Sequence, residues 1–127
     1  MLLVDTDILI WVLRGDNKYL SWFKNLHKNT ALSISTVTIA EIYKNTFPSE
    51  LLSTEAVIDN FVVLNVTASI AKQAGLYWQE YNKKLIKLNI TDCLIASTSL
   101  VHDSALITLN TKHFPMQNIT VLEPKDI

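Results

Sequence analysis

Two periodicities alternate along the chain. Short apolar runs closed by a polar residue read as buried strands, and apolar positions recurring at three- and four-residue spacing read as helices. Leu2-Leu3-Val4, closed by Asp5, is the first strand. Thr6 to Leu13 reads as a helix, with Asp7 in its first turn and Arg14-Gly15 as its stop. Lys18 to His27 places Leu20, Trp22, Phe23 and Leu26 on a second helical face. Ala31 to Ser35 predicts a strand, and Thr36 to Phe47 a helix that stops before Pro48. Pro48 and Ser49 open a further helix through Val57 and Ile58. Phe61 to Val66 is β-rich, and Thr67 starts a long helix striped by Ile70, Ala71, Ala74, Tyr77, Trp78 and Tyr81. A cap-like stretch from Leu88 to Thr91 leads into a very apolar helix, Asp92 to Val101. Ala105 to Leu109 and Ile119 to Leu122 predict the last two strands.

Strands alternating with helices indicate an α/β fold with a central, mainly parallel sheet. Such sheets bind ligands beyond the carboxyl ends of their strands. At 127 residues, with neither repeat nor linker, residues 1–127 are expected to form a single domain. Apolar residues make up 49% of it and charged residues 18%, which excludes a disordered chain. No apolar run approaches the roughly 18 residues of a membrane span, and Asp5 and Asp7 stand where a secretory leader is basic, so a cytoplasmic protein is expected. Cys93 is the only cysteine, which excludes disulfides and zinc–thiolate sites within one chain. With only Gly15 and Gly75, no glycine-rich phosphate loop exists. Eleven basic against 12 acidic residues leave a net charge of −1, so any polyanion must be held by a local patch or a metal.

The polar residues just past the strands therefore carry the argument. Asp5, Thr6 and Asp7 follow the first strand; Ser35, Thr36 and Thr38 follow the second, with Glu41 one turn into the next helix; Asn110 follows the fourth. Asp5, Glu41 and Asp92 are acids set in strongly apolar stretches. Singly, each has an ordinary reading: Asp5 and Asp92 as helix caps, Glu41 as a surface partner of Lys44. Together in one cleft, carboxylates repel and lose hydration unless a cation neutralises them. An all-oxygen set selects Mg²⁺ or Mn²⁺, and such an ion can activate water against a phosphodiester.

Four pieces in order resemble the PIN-domain nucleases, and among them the toxin ribonucleases of VapC type. They are Leu2-Leu3-Val4-Asp5-Thr6-Asp7, Ser35-x-x-Thr38-x-x-Glu41-Ile42, Thr91-Asp92-Cys93-Leu94-Ile95-Ala96 and Ile107-Thr108-Leu109-Asn110-Thr111-Lys112-His113-Phe114. The resemblance runs from Leu2 to about Val121. It implies a three-layer α/β/α PIN-like domain, often dimeric, and a Mg²⁺- or Mn²⁺-dependent endoribonuclease acting on structured RNA of the tRNA or rRNA class. It carries metal binding onto Asp5 and Asp92, and catalytic function onto Asp5, Glu41 and Asp92. Thr6 and Ser35 match supporting positions. The family often has a fourth acid after the last core strand; here Asn110-Thr111-Lys112-His113 holds none, and Asn110 offers only an amide. The resemblance also implies a small antitoxin partner, whose basic tail would suit the acidic cleft.

The remaining candidates are weaker. Lys44, Lys83, Lys84, Lys87 and Lys112 form either a phosphate track or a solvated face. Cys93 reads as a packed thiol, His113 as a solvated histidine at a helix end, and Trp11, Trp22 and Trp78 as core or dimer-interface residues. Two competing readings remain. One is a haloacid-dehalogenase-like phosphatase with Asp5 as nucleophile; the other is a non-catalytic module that keeps the nuclease fold and only binds RNA or protein.

Overall fold

The first apolar run takes the centre of the sheet. A computed structural model describes residues 1–83 and 86–127. Its strands are β1 (Leu2–Val4), β2 (Leu32–Ser35), β3 (Val62–Leu64), β4 (Ala105–Ile107) and β5 (Val121–Leu122). They stand in the order β3-β2-β1-β4-β5, and every neighbouring pair is parallel. Leu2 pairs with Leu32 on one side and Ala105 on the other. The helices are α1 (Thr6–Leu13), α2 (Asn17–Asn29), α3 (Thr36–Tyr43), α4 (Leu51–Ile58), α5 (Ala68–Tyr81) and α6 (Ile90–His102).

Side chains of a strand alternate between faces, and β1 and β4 show it. Leu3 and Leu106 enter one core with Ala74 and Tyr77 of α5 and Cys93, Ile95 and Ala96 of α6. Val4 and Ile107 enter the other, with Ile8, Leu9 and Val12 of α1, Phe23 of α2 and Ile42 of α3. The result is the three-layer α/β/α domain that the resemblance implies, around the parallel sheet that the alternation of elements predicts. The chain winds outward from β1 through β2 to β3, then returns across the other face to β4. The order of the strands therefore reverses between β1 and β4, and past their carboxyl ends the chain leaves toward opposite faces, the arrangement that opens a crevice in such sheets.

Several boundaries differ from the expected ones for local reasons. α3 ends at Tyr43 rather than Phe47, where the Thr46 hydroxyl donates to the Ile42 carbonyl and takes up a last-turn acceptor. Pro48–Glu50 forms a 3₁₀ turn ahead of α4. α6 begins at Ile90, because Asn89 rather than Asp92 is its N-cap and accepts from the Thr91 amide. β4 ends at Ile107, which leaves Thr108 and Leu109 beyond the strand. Among the described residues, no helix is long and apolar enough to cross a membrane.

Candidate active site

The crevice between β1 and β4 is built on Asp5. Its amide donates to the Ile107 carbonyl at 2.9 Å, so the backbone past β1 is pinned to the end of β4. Asp5 is also the N-cap of α1, with Oδ1 accepting from the Thr6 amide at 2.8 Å. Capping and site membership are thus the same placement. The other oxygen, Oδ2, accepts from the Thr108 hydroxyl at 2.7 Å. Thr108 is fully buried, and its own oxygen accepts from the Asn110 amide at 3.0 Å.

Asp7, two residues on and in the first turn of α1, reaches the same strand end. Its Oδ2 accepts from the Leu109 amide at 3.1 Å and the Asn110 side-chain amide at 2.9 Å, and lies 3.3 Å from the Thr108 hydroxyl. Asn110 is thereby committed as a donor to a carboxylate of the site.

Glu41 is fixed from α3. Ser35, at the end of β2, caps α3 by accepting from the Val37 amide at 3.0 Å, and so sets the helix that presents Thr38 and Glu41. Thr6 Oγ1 lies 2.7 Å from Glu41 Oε1 and 2.9 Å from Thr38 Oγ1. A carboxylate only accepts, so the single Thr6 proton goes to Glu41 and Thr38 supplies its own proton to Thr6. Lys44 is exposed at the C-cap of α3, and the partner of Glu41 is Thr6.

Asp92 enters from the first turn of α6, with Oδ2 3.5 Å from His113 Nδ1. The charges tie the acids into one cluster. Burial, then the Asp7 charge and more weakly Asp92, push Asp5 up to about 7 against the hydrogen bonds from Thr108 and Thr6. Burial raises Asp92 to about 6, with His113 acting against the rise and Glu41 and Asp7 adding to it. Asp92 thus links the acids at the carboxyl end of the sheet: its charge reaches Asp5, and the charge of Glu41 reaches it.

Such a cluster suits a hard cation. Among the described residues no three His, Cys, Asp or Glu side chains already close around an ion. Mg²⁺ does not require that: one or two carboxylates hold it, with waters and substrate phosphates completing the shell. The donor set here is carboxylate oxygen throughout, and burial disfavours the charge of Asp5 and Asp92 in a way a cation would offset, so the residues fit the ion.

The site holds more than the sequence singled out. Asp7 and Thr108 are missed because their partners lie across the sheet, about a hundred residues away in the chain. Thr38 stands in the sequence pattern without a role and proves to be the donor behind Thr6. His113 is exposed, as expected, yet rests against Asp92. Among the lysines, Lys112 lies on the 3₁₀ turn Thr111–His113 beside the site, and Lys44, Lys83 and Lys87 are exposed elsewhere. Lys84 lies outside the described residues. Tyr77 is wholly core, Trp22 half-buried, and Trp11 and Trp78 exposed.

The PIN domain family model matches residues 2–116. The chain is 36% identical over 116 residues to ribonuclease VapC10 of Mycobacterium tuberculosis, covering 91% of this chain and 87% of that protein. A chain of a toxin–antitoxin complex from Klebsiella pneumoniae is 26% identical, with a TM-score of 0.79 and 98% of each chain covered. A chain of DNA-bound VapBC from Salmonella typhimurium is 21% identical and shares the fold, with a TM-score of 0.81 over 98% of this chain and 99% of that one.

Proposed function

The chain belongs to the PIN-domain family, and on that premise we propose that it is a metal-dependent endoribonuclease, the toxin of a toxin–antitoxin pair, hydrolysing phosphodiester bonds in structured RNA of the tRNA or rRNA class. The observation that supports this reading is the gathering of Asp5, Glu41 and Asp92 at the reversal point of the sheet, with burial holding Asp5 and Asp92 well above the ordinary aspartate range.

Asp5 and Asp92 are the residues that would hold Mg²⁺ or Mn²⁺. The ion, when bound, supplies Lewis acidity toward a phosphate oxygen and a water made more acidic. Glu41 orients the attacking water: Thr6 engages Oε1, which leaves Oε2 to accept a proton from the nucleophile. Ser35 holds α3 in place, and Asn110 steadies Asp7. Of the lysines proposed for the RNA backbone, Lys44, Lys83, Lys84, Lys87 and Lys112, it is Lys112 that stands beside the site.

A small antitoxin with a basic tail is the proposed partner in the cytoplasm. Beside Glu41 lies a groove of about 280 Å³ lined by Ile10, Leu13, Arg14 and Phe47, and Phe47, Leu51 and Leu52 are exposed around it. A groove of mixed apolar and polar lining that opens on Glu41 and Glu50 fits an amphipathic segment that ends in Arg or Lys. The exposed Leu76 and Trp78 of α5 supply a separate apolar surface for the proposed homodimer.

The test is cleavage of total RNA by the purified protein, with Mg²⁺ or Mn²⁺ and with excess EDTA, followed by sequencing of the new 5′ ends. Defined cuts that need the metal and vanish in Asp5→Asn are expected. Undiminished cleavage in EDTA, or full activity in Asp92→Asn, overturns the assignment.

A further inference from the structure

A second cavity adjoins the acids, and the reaction proposed above leaves it unused. It measures about 340 Å³ and is lined by Lys18, Tyr19 and Trp22 of α2, by Leu109 past β4, and by the turn from Glu123 to Lys125 past β5. That volume is in the range of small-ligand sites, which start at about 300 Å³. Leu109 joins the cavity to the site: it lines the one, and its amide donates to Asp7 in the other at 3.1 Å. A strand of nucleic acid lying on the acids therefore has this cavity beside it.

The lining pairs flat rings with cations. Two lysines against one glutamate leave it positive, in a chain whose net charge is −1. Lys18 Nζ lies 5.5 Å from the centroid of the Tyr19 ring. Lys125 Nζ lies 3.1 Å from Glu123 Oε2, yet 79% of its side chain is exposed, so water screens the pair and the ammonium can turn to a phosphate. Trp22 adds an unmet donor: its Nε1–H is buried and has no partner among the described residues. The aromatic wall is set before any ligand arrives. Asp16 caps α2 by accepting from the Lys18 and Tyr19 amides, and the Tyr19 ring stacks on Trp11 with centroids 6.1 Å apart. Cations for the backbone beside rings for the bases are what proteins use to hold unpaired nucleotides. We propose that this cavity is a subsite for one nucleotide of the RNA, next to the scissile phosphate, with its base against Tyr19 and Trp22 and its phosphate on Lys18 and Lys125. The proposal rests on the nuclease reading above and adds to it a place for an unstacked base.

The experiment takes an RNA that the chain cuts and makes one flanking nucleotide at a time abasic. Affinity is measured in Asp5→Asn, where cleavage is stopped, and kcat/KM in the otherwise unchanged protein. At one flanking position, loss of the base should weaken both by about tenfold, within the worth of one stacked base. Tyr19→Ala should bring that ratio to about one, and Tyr19→Phe, which keeps the ring, should preserve it. Lys18→Ala and Lys125→Ala should weaken intact and abasic RNA alike and lower the salt slope of binding by about one each. In the nuclear magnetic resonance spectrum, nucleoside 5′-monophosphates should move the Trp22 indole N–H, identified by its loss in Trp22→Phe, and inorganic phosphate should not. A base effect that survives Tyr19→Ala, no base effect at any flanking position, or an indole signal unmoved by all four monophosphates overturns the proposal. So does a Tyr19→Ala variant that changes oligomeric state and binds RNA as before, which gives the face to a second copy of the chain. If the wild-type chain cuts no RNA with either metal, the nuclease reading fails instead, and the indole titration still decides whether the cavity takes a nucleotide.

Discussion

Thr108 Oγ1 lies 2.7 Å from Asp5 Oδ2, and this bond joins the ends of β4 and β1 where the strand order reverses. The same oxygen accepts from the Asn110 amide. Thr108→Val keeps the shape and removes both roles. It should cost about 1–3 kcal/mol in urea unfolding, since the buried Asp5 carboxylate loses its donor and the part-buried Asn110 amide its acceptor. It should also raise Asp5 further and move the acid limb of the pH–rate profile to higher pH. An unchanged midpoint and an unchanged limb would show that the bond matters to neither.

Stability should fall as pH rises. Asp5 and Asp92 are raised from 3.8 to about 7 and about 6, chiefly by burial. Between the free and folded values the folded chain binds more protons than the unfolded one, so these groups destabilise the fold progressively through that window. In Asp5→Asn the amide oxygen can still accept from Thr6, and the amide nitrogen can donate to Thr108, whose proton then turns to Asp7. The metal-free variant should therefore melt above the wild type, by a margin that widens from pH 5 to pH 8. A constant or shrinking margin contradicts the raised Asp5.

Glu41 and Asp92 should separate kinetically. Glu41→Gln keeps an oxygen for Thr6 and loses the acceptor for the nucleophile, so kcat should drop by about 10²–10⁴-fold. Manganese affinity, followed by calorimetry, should stay within a factor of a few. In Asp92→Asn the affinity itself should fall. Equal losses of affinity in both variants would place Glu41 among the metal-holding residues.

The thiol should prove inert. Cys93 is fully buried, and burial together with the Asp92 charge pushes it up to about 11. The folded protein should resist maleimide until urea is added, and Cys93→Ala should retain RNA cleavage at a cost of about 1 kcal/mol. Rapid labelling of the native chain, or loss of cleavage in a folded Cys93→Ala, would assign the thiol a chemical part.

Much of the fold was legible because its signals are local. α1 spans Thr6–Leu13 as the periodicity predicts, with a polar cap before it and Gly15 after it at φ +75. α6 was misplaced by two residues because Asn89, Thr91 and Asp92 are all cap-type residues, and only the geometry selects Asn89. The acids were legible because a carboxylate in an apolar stretch is costly wherever it falls. The residues that hold them were not. A threonine after a strand has the composition of a strand, and nothing near Thr108 in the sequence tells it apart from Thr98, whose hydroxyl merely donates to Leu94 in its own helix. The partners of Asp7 lie across the crevice, so in the sequence it reads only as an acid favouring a helix start.

The reversal of strand order also sets when the site can come into being. A ribosome makes Asp5, Glu41 and Asp92 before Thr108, Asn110 and His113, and β1 finds its neighbour β4 only after about a hundred further residues. Chains fold from the N-terminus as they emerge. A nascent chain that already carries all three acids has neither the pairing that opens the crevice nor the hydroxyl that holds Asp5. The site is therefore completed only after Thr108 and Asn110 have followed all three acids out of the ribosome.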